Sequence, residues 1–486
     1  MKKYILSIFT LIMPCITFAQ ESAEKGLDQR IDEGFKPFSD AVFNAVFFPV
    51  FGIPFVLILL VFSALFFTLY FGFPNIKYFG KAINTVRGKY DAIDGGHKAM
   101  DSPITLDGDV LHTIRDESKS GEVSHFQALA TAVSGTVGNG NIAGVALAIS
   151  LGGPGATFWM IICGLLGMSS KFVECTLGVQ YRDIGEDGTV YGGPMYYISK
   201  GLKEKGFTVL GKIAAVFFAI FCIGGSFGGG NAAQSNQATI VLKDLMGLEN
   251  AGAGFWIGVI LAVLVGVIII GGIKRIASVT EKIVPFMALF YLVACFYIVF
   301  SNFSLVDDAF ALILKEAFNP TAIGAGSLIG VLLIGFKRAA FSNEAGAGSA
   351  SIAHSAVKTN YSASEGLVSL LEPFIDTVVI CTMTALVIII FNFGGAFQYG
   401  GNGLGAVLIE GVSYEGAGIT SKAFAQYIPY SNVFLTIAVV LFAVSTMISW
   451  SYYGLQSWKY LFGRGKAADL AYKLLFLMFV IIGAAA

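Results

Sequence analysis

Ser134-Gly135-Thr136-Val137-Gly138-Asn139-Gly140-Asn141-Ile142-Ala143-Gly144 interrupts a long apolar run. A simple membrane helix would hold Leu, Ile, Val and Phe here; this stretch holds glycine, hydroxyl and amide. Each glycine weakens a helix by about 1 kcal/mol against alanine, and Gly138, Gly140 and Gly144 fall within seven positions. The helix is therefore expected to unwind. In lipid, unwound backbone leaves costly unpaired N–H and C=O groups. Such a break is tolerable only inside protein or against a polar cavity, so the stretch reads as a binding site in mid-membrane.

Composition agrees. The chain has 486 residues, 55% of them hydrophobic and only 13% charged, against about 25% charged in soluble domains. Its mean hydropathy is +0.74. These values define an integral membrane protein and argue against a soluble enzyme. A net charge of −1 gives no reason to expect nucleic acid as a partner. The lipid bilayer is the expected surrounding, and 59 glycines with 43 phenylalanines suit close-packed helices facing it. Six scattered cysteines without a CxxC pair make neither a disulfide framework nor a zinc site.

Residues 1–20 read as a signal peptide: Lys2 and Lys3, an apolar run from Tyr4 to Phe18, and a cleavage site at Thr17-Phe18-Ala19. Residues 21–49 are expected to be extracytoplasmic or interfacial, and 50–486 to form the membrane domain. Spans are predicted over about 50–71, 126–151, 157–179, 214–242, 254–273, 283–300, 322–353, 367–391, 433–462 and 474–486. Lysines and arginines gather in 74–124, 182–205, 274–282 and 459–466, which marks those loops as cytoplasmic. The expected location is a bacterial plasma (inner) membrane, multi-pass, with the mature N-terminus outside.

A second interruption, Ala345-Gly346-Ala347-Gly348-Ser349-Ala350-Ser351, mirrors the first: Gly-x-Gly, then a small polar residue, in mid-span. With the helix at 50–71 set aside, each break opens a group of five helices, the first repeat over about 122–301 and the second, incomplete, over about 320–486. An odd number inverts the second group. Broken helices at matching positions of inverted halves point to a transporter binding site. Freed N–H groups attract a carboxylate, and freed carbonyls suit a hard cation. For Gly140 and Gly144 the rival reading is a GxxxG packing face.

Several motifs resemble one family, the alanine or glycine:cation symporters, also called sodium:alanine symporters. They are Thr136–Gly144, Gly152-Gly153-Pro154-Gly155-Ala156, Gly192-Gly193-Pro194-Met195-Tyr196-Tyr197-Ile198, Gly271-Gly272-Ile273-Lys274-Arg275-Ile276, Phe341-Ser342-Asn343-Glu344-Ala345-Gly346 and Trp450-Ser451-Tyr452-Tyr453-Gly454. The resemblance implies an all-α polytopic membrane protein of LeuT type: an inverted repeat of five helices with one extra N-terminal span. It also implies sodium-driven uptake of alanine, or of glycine or serine, by alternating access. Two departures stand out. Ala339 follows Arg338 where the family has glycine, and the family's final core helix is missing after Ala486.

On this reading Asn139 and Gly140 supply backbone N–H groups to the substrate carboxylate, with Thr136, Ser342 and Asn343 beside the breaks. Phe227, Asn231 and Gln234 share a helix face and form one wall; the rival is a packed helix with polar contacts. Trp450, one turn from Thr446, caps the substrate methyl. Sodium is expected at the Asn141 side chain and at Ser134, Val137, Ser445 and Thr446. Glu344 is expected to hold the second break or a gate, with Arg338 across from it, and Asp376 to pair with a cation or an arginine. Lys171 and Glu174 read as a helix-end ion pair and His354 as a surface residue. Sodium is co-transported, no organic cofactor is expected, and the protein is expected to work as a monomer on a small amino acid. The alternative is a proton-coupled or differently specific small amino-acid carrier of the same fold. An ion channel would need a continuous pore, and a membrane enzyme would need catalytic motifs that the spans lack.

Overall fold

The structure is a computed structural model. It describes residues 36–37, 40–50, 52–90, 121–248, 252–320, 328–401, 403 and 405–486. The expected signal peptide lies outside the described residues, as do most of the 74–124 loop and the start of the span predicted from 322. Leu60–Ala485 form one compact unit, which carries everything below except the small hairpin Pro49–Pro54 and the first turn of α1.

Helix α1 covers Phe55–Tyr70. The first broken span follows as α2, His125–Thr136, and α3, Ala143–Gly152, joined through a 3-10 turn at Asn139–Asn141 and bent by 59°. A capping box starts α2: Ser124 Oγ accepts from Gln127 N at 3.2 Å, and Gln127 Oε1 accepts from Ser124 N at 3.1 Å. Gly153, at φ +70°, turns the chain into α4, Gly155–Gln180. After a hairpin pairing Asp183–Ile184 with Val190–Tyr191 come α5, Pro194–Glu204, and α6, Thr208–Phe227. Five glycines, Gly224, Gly225, Gly228, Gly229 and Gly230, bracket or fill the next turn, which widens into a π-helix, Gly228–Ala232, before α7, Ala233–Met246.

Helix α8 is Ala253–Ile269, and α9 runs Gly272–Ser301. The predicted loop at 274–282 is instead the opening of α9; the turn is only Ile270–Gly272, with Gly272 at φ +67°. Helix α10 is Val306–Phe318. The second broken span comprises α11, Leu328–Asn343, and α12, Ala350–His354. The next span begins as α13, Ser362–Ser369, passes Pro373, widens into a π-helix at Phe374–Cys381 and ends as α14, Thr382–Asn392. Pro373 has no N–H to continue the regular ladder, and it sits where the helix widens. A hairpin, Val407–Ile409 with Val412–Tyr414, precedes α15, Ala417–Ala425. The chain then runs through α16, Ser431–Phe462, and α17, Lys466–Ala485.

Among the described residues six helices are long and apolar enough to cross a membrane, seven with the bent pair. Helices α6 and α8 leave Phe217, Phe221, Ile260 and Val263 exposed, as lipid-facing helices do. Between helices, lipid gives no hydrophobic drive, so close packing must hold them. Helix α4 illustrates this. A methyl group on Gly155 would fall 2.3 Å from the Glu316 backbone, on Gly167 2.9 Å from the Ala345 side chain, and on Gly178 2.8 Å from the Ser351 carbonyl. Overpacking of that kind costs about 1–3 kcal/mol, so glycine lets α10 and the second break sit directly on α4.

Candidate functional site

The first break is buried within the unit. Val137 leaves helical geometry at ψ 96°, and Gly138 is extended at φ −144°, ψ −156°. The Gly138 N–H donates to Asn141 Oδ1 at 2.9 Å, so the break satisfies one of its own freed donors. A Cβ on Gly138 would lie 2.6 Å from Thr446 Oγ1, whereas the space beside Gly140 opens to 3.8 Å and Gly144 has nothing within 4 Å. Close approach of α16 therefore requires Gly138. Gly140 meets Phe341 and the Ser342 backbone of α11 only at ordinary contact distance and Gly144 meets nothing within 4 Å, so neither glycine is required for close approach.

Around this break several buried polar atoms lack a hydrogen-bond partner among the described residues: both amide atoms of Asn139, Thr446 Oγ1 and Gln234 Oε1. Leaving a buried polar group unpaired costs about 1–3 kcal/mol. Ser134 faces the same region from α2, its Oγ donating to the Ser445 carbonyl at 2.7 Å, while Ser445 Oγ donates to Phe442 O at 2.9 Å. Val137 is buried, and Thr136 Oγ1 turns back onto Val133 O at 3.3 Å.

The remaining predicted residues divide. The Asn141 carbonyl, expected to face sodium, accepts the Gly138 N–H, and Nδ2 donates to Asp376 Oδ1 at 2.7 Å. Asp376 also accepts from Ser342 Oγ at 2.8 Å and Thr377 Oγ1 at 2.7 Å. Asn343 bridges Thr377 Oγ1, at 3.0 Å, and the Ala345 N–H, at 3.0 Å. Ser342, Asn343 and Asp376 thus join the two breaks through the π-helix at Phe374–Cys381. No arginine pairs with Asp376 among the described residues.

Phe227 and Asn231 depart from the expected wall. Phe227 stacks on Tyr472 and Phe479, at 5.4 and 4.8 Å between centroids, and Asn231 Nδ2 donates to Phe476 O at 2.7 Å. Both face α17. The π-helix between them and α7 breaks the 3.6-residue spacing, so only Gln234 of the three faces the first break, its Oε1 3.6 Å from where a Gly138 Cβ would be.

At the second break Glu344, Gly346 and Gly348 have φ of +53°, +89° and +84°. Glu344 accepts from Ser349 Oγ and, at 3.2 Å, from Trp450 Nε1. It makes no ion pair with Arg338 among the described residues. Trp450 reaches it by lying on the π-turn: a Cβ on Gly230 would fall 2.3 Å from Trp450 Cγ.

Lys171 and Glu174 are not a helix-end pair, because both are buried inside α4. Glu174 accepts from the Gly346 N–H and, at 3.1 Å, from the Gly348 N–H. Lys171 Nζ meets Glu372 Oε1 at 3.0 Å. Gly164, Gly167, Lys171, Glu174 and Gly178 recur at three- and four-residue steps, so they form one helix face. That periodicity was the sequence signal for a helix surface shaped to the second break. His354 is fully buried, not a surface residue.

The profile of the sodium:alanine symporter family matches residues 37–486. The chain belongs to this family. The sodium/alanine symporter AgcS of Methanococcus maripaludis is 38% identical over 89% of this chain and 86% of its own. A sodium/proton-dependent alanine carrier protein of Bacillus sp. strain PS3 is 32% identical over 77% and 81%. Among solved structures, MhsT in complex with L-phenylalanine aligns at a TM-score of 0.53 and 14% identity, over 75% of this chain and 80% of that one. The fold is therefore of LeuT type, in a multi-pass transporter rather than an enzyme.

Proposed function

We propose that the protein couples sodium influx to uptake of alanine, glycine or serine, with the cargo held at the first break. The observation that carries this reading is the set of buried, unpartnered polar atoms there: the Asn139 amide, Thr446 Oγ1 and Gln234 Oε1. An α-amino acid supplies an ammonium, a carboxylate and little else, which suits a site that offers both donors and acceptors. Asn139 and Gly140 present the N–H side. Gln234 Oε1 and Thr446 Oγ1 present acceptors. Carbonyls freed at the end of α2, with the α16 hydroxyls, suit sodium, a hard cation that prefers oxygen. A ligand shifts alternating-access states only by its differential affinity for them, and atoms satisfied solely by cargo provide such a difference.

The test is uptake of radiolabelled alanine by proteoliposomes with and without an inward sodium gradient, with glycine, serine and D-alanine as competitors. Sodium-dependent accumulation is expected. Uptake indifferent to sodium but driven by a proton gradient would replace sodium by the proton, as the carrier from Bacillus sp. strain PS3 makes worth testing.

A further inference from the structure

Five titratable side chains form a buried line that the cargo reading does not use. His125 opens α2, and its Nδ1 meets Glu365 Oε2. Glu365 Oε1 meets His354 Nδ1 at 2.5 Å. The other ring nitrogen of His354, Nε2, lies 3.8 Å from Glu372 Oε2, beyond hydrogen-bond reach. Neither of those two atoms has a hydrogen-bond partner among the described residues. Glu372 Oε1 meets Lys171 at the far end.

This line sits where the two broken spans come together. Val123 and Val357 form a parallel bridge, the Lys358 N–H donates to Val123 O at 2.8 Å, and the Glu122 N–H donates to Ala356 O at 2.7 Å. Arg182 secures the same segment by donating to the carbonyls of Ser355 and Val357. Other charged groups face the line from each packed element: Glu174 from α4, Glu344 from the second break, and Glu281 of α9 through Gln127. Lys81, on the helix Phe79–Val86, is exposed over the Tyr78 ring. Lys171 and Arg182 are the basic groups that face this line, beside the acidic groups Glu365, Glu372, Glu174 and Glu344. Two imidazoles lie in this buried space, those of His125 and His354, and each has a carboxylate oxygen beside it.

Geometry selects which one. His354 has a carboxylate oxygen on each side of its ring. When it is neutral with Nδ1–H directed to Glu365, the Nε2 lone pair faces the Glu372 lone pairs. When it is protonated, both nitrogens present N–H to carboxylates. We propose that His354, clamped between Glu365 and Glu372, is a proton-binding site separate from the cargo cavity, and that its proton fastens the ends of the two broken spans together. Losing the proton sets Nε2 against Glu372 and loosens the 121–125 and 354–358 segments. The proton is a regulator of that end and is not carried with cargo.

Hydrogen–deuterium exchange on the full-length protein, without cargo or sodium, tests this across pH 6 to 9 after correction for intrinsic exchange. Amides in 121–127 and 350–369 are expected to exchange several-fold faster at the alkaline end. Glu372→Gln keeps the imidazole but lets an amide N–H meet a neutral Nε2, so the pH step is expected to vanish. His125→Gln leaves the clamp in place and is expected to keep the step. Wild-type exchange that is flat with pH, or a step that survives Glu372→Gln, would overturn the proposal. Because no transport is measured, failure of the sodium and alanine reading leaves this result standing, and the reverse also holds.

Discussion

The two helix breaks solve one problem in opposite ways. Each frees backbone groups inside a membrane protein. The first keeps ordinary backbone angles and leaves side-chain atoms of Asn139, Gln234 and Thr446 without partners among the described residues. The second twists through three left-handed residues and has its freed N–H groups taken up by Glu174. On the proposed reading one break is prepared for cargo; the other is filled by the chain's own carboxylates. Similar Gly-x-Gly patterns thus conceal different duties, and glycine serves close approach in the first and positive φ in the second.

The sharpest way to break this contrast is at Glu174. Glutamine there would offer a donor to one of the two N–H groups that the carboxylate now accepts. Hydrogen bonds to a charged group are worth about 1.5–3 kcal/mol each. Glu174→Gln is expected to lower the thermal midpoint clearly and to cut uptake more than tenfold. Wild-type values in both measurements would mean that the second break holds itself open.

Glycine substitutions come next. Gly346→Ala places a side chain at φ +89° and its Cβ 2.4 Å from Leu60 Cδ2; the left-handed conformation alone costs about 1–2 kcal/mol. Gly138→Ala has no such strain but collides with Thr446 Oγ1. Adding Thr446→Ala is expected to restore stability to the Gly138 variant and not to the Gly346 variant. Gly140→Ala is expected to be nearly silent in stability. Equal losses at Gly138 and Gly140 would remove close approach as the reason for the glycine.

A smaller effect should separate cargo contacts from scaffold. Thr446→Ala deletes a hydroxyl that has no hydrogen bond among the described residues, so stability should hold or rise. The half-saturating cargo or sodium concentration should rise by about tenfold, one hydrogen bond's worth. Loss of stability with unchanged uptake would place Thr446 in the scaffold.

How much of this was legible beforehand follows from the same physics. The breaks were legible because glycine and amides in an apolar run violate the local rule for a membrane helix, and the structure breaks both spans there. The neighbours of each break were legible only where regular periodicity held. It failed at Gly228–Ala232 and at Phe374–Cys381, where π-turns shift the faces; Phe227 and Asn231 face α17, while Gln234 faces the first break. Glu174 and Lys171 were misread because adjacent opposite charges on a helix usually pair with each other. Their partners come from 172 to 201 positions away in the chain, and spacing carries no record of such contacts. His354 was misread for a different reason: Glu365 and Glu372 come from the next span, close in sequence but brought over the ring only by the fold.

The least effect is expected outside the spans, at Asp183. Burial pushes its carboxyl up, but Lys200, at 2.5 Å, and Arg464, at 2.9 Å, outweigh that and hold it below the ordinary value of 3.8. A carboxyl depressed in the folded state adds stability above the unfolded value and loses it as pH falls through the folded one. The group is more than a third exposed, so solvent limits the pair to about 1 kcal/mol or less. Arg464→Gln should therefore lower the thermal midpoint slightly at pH 7, and the difference from wild type should close below pH 4. Wild type and variant remaining parallel into acid would show that Arg464 acts instead through its guanidinium 3.9 Å over the Tyr191 ring, a contact with no carboxylate to titrate.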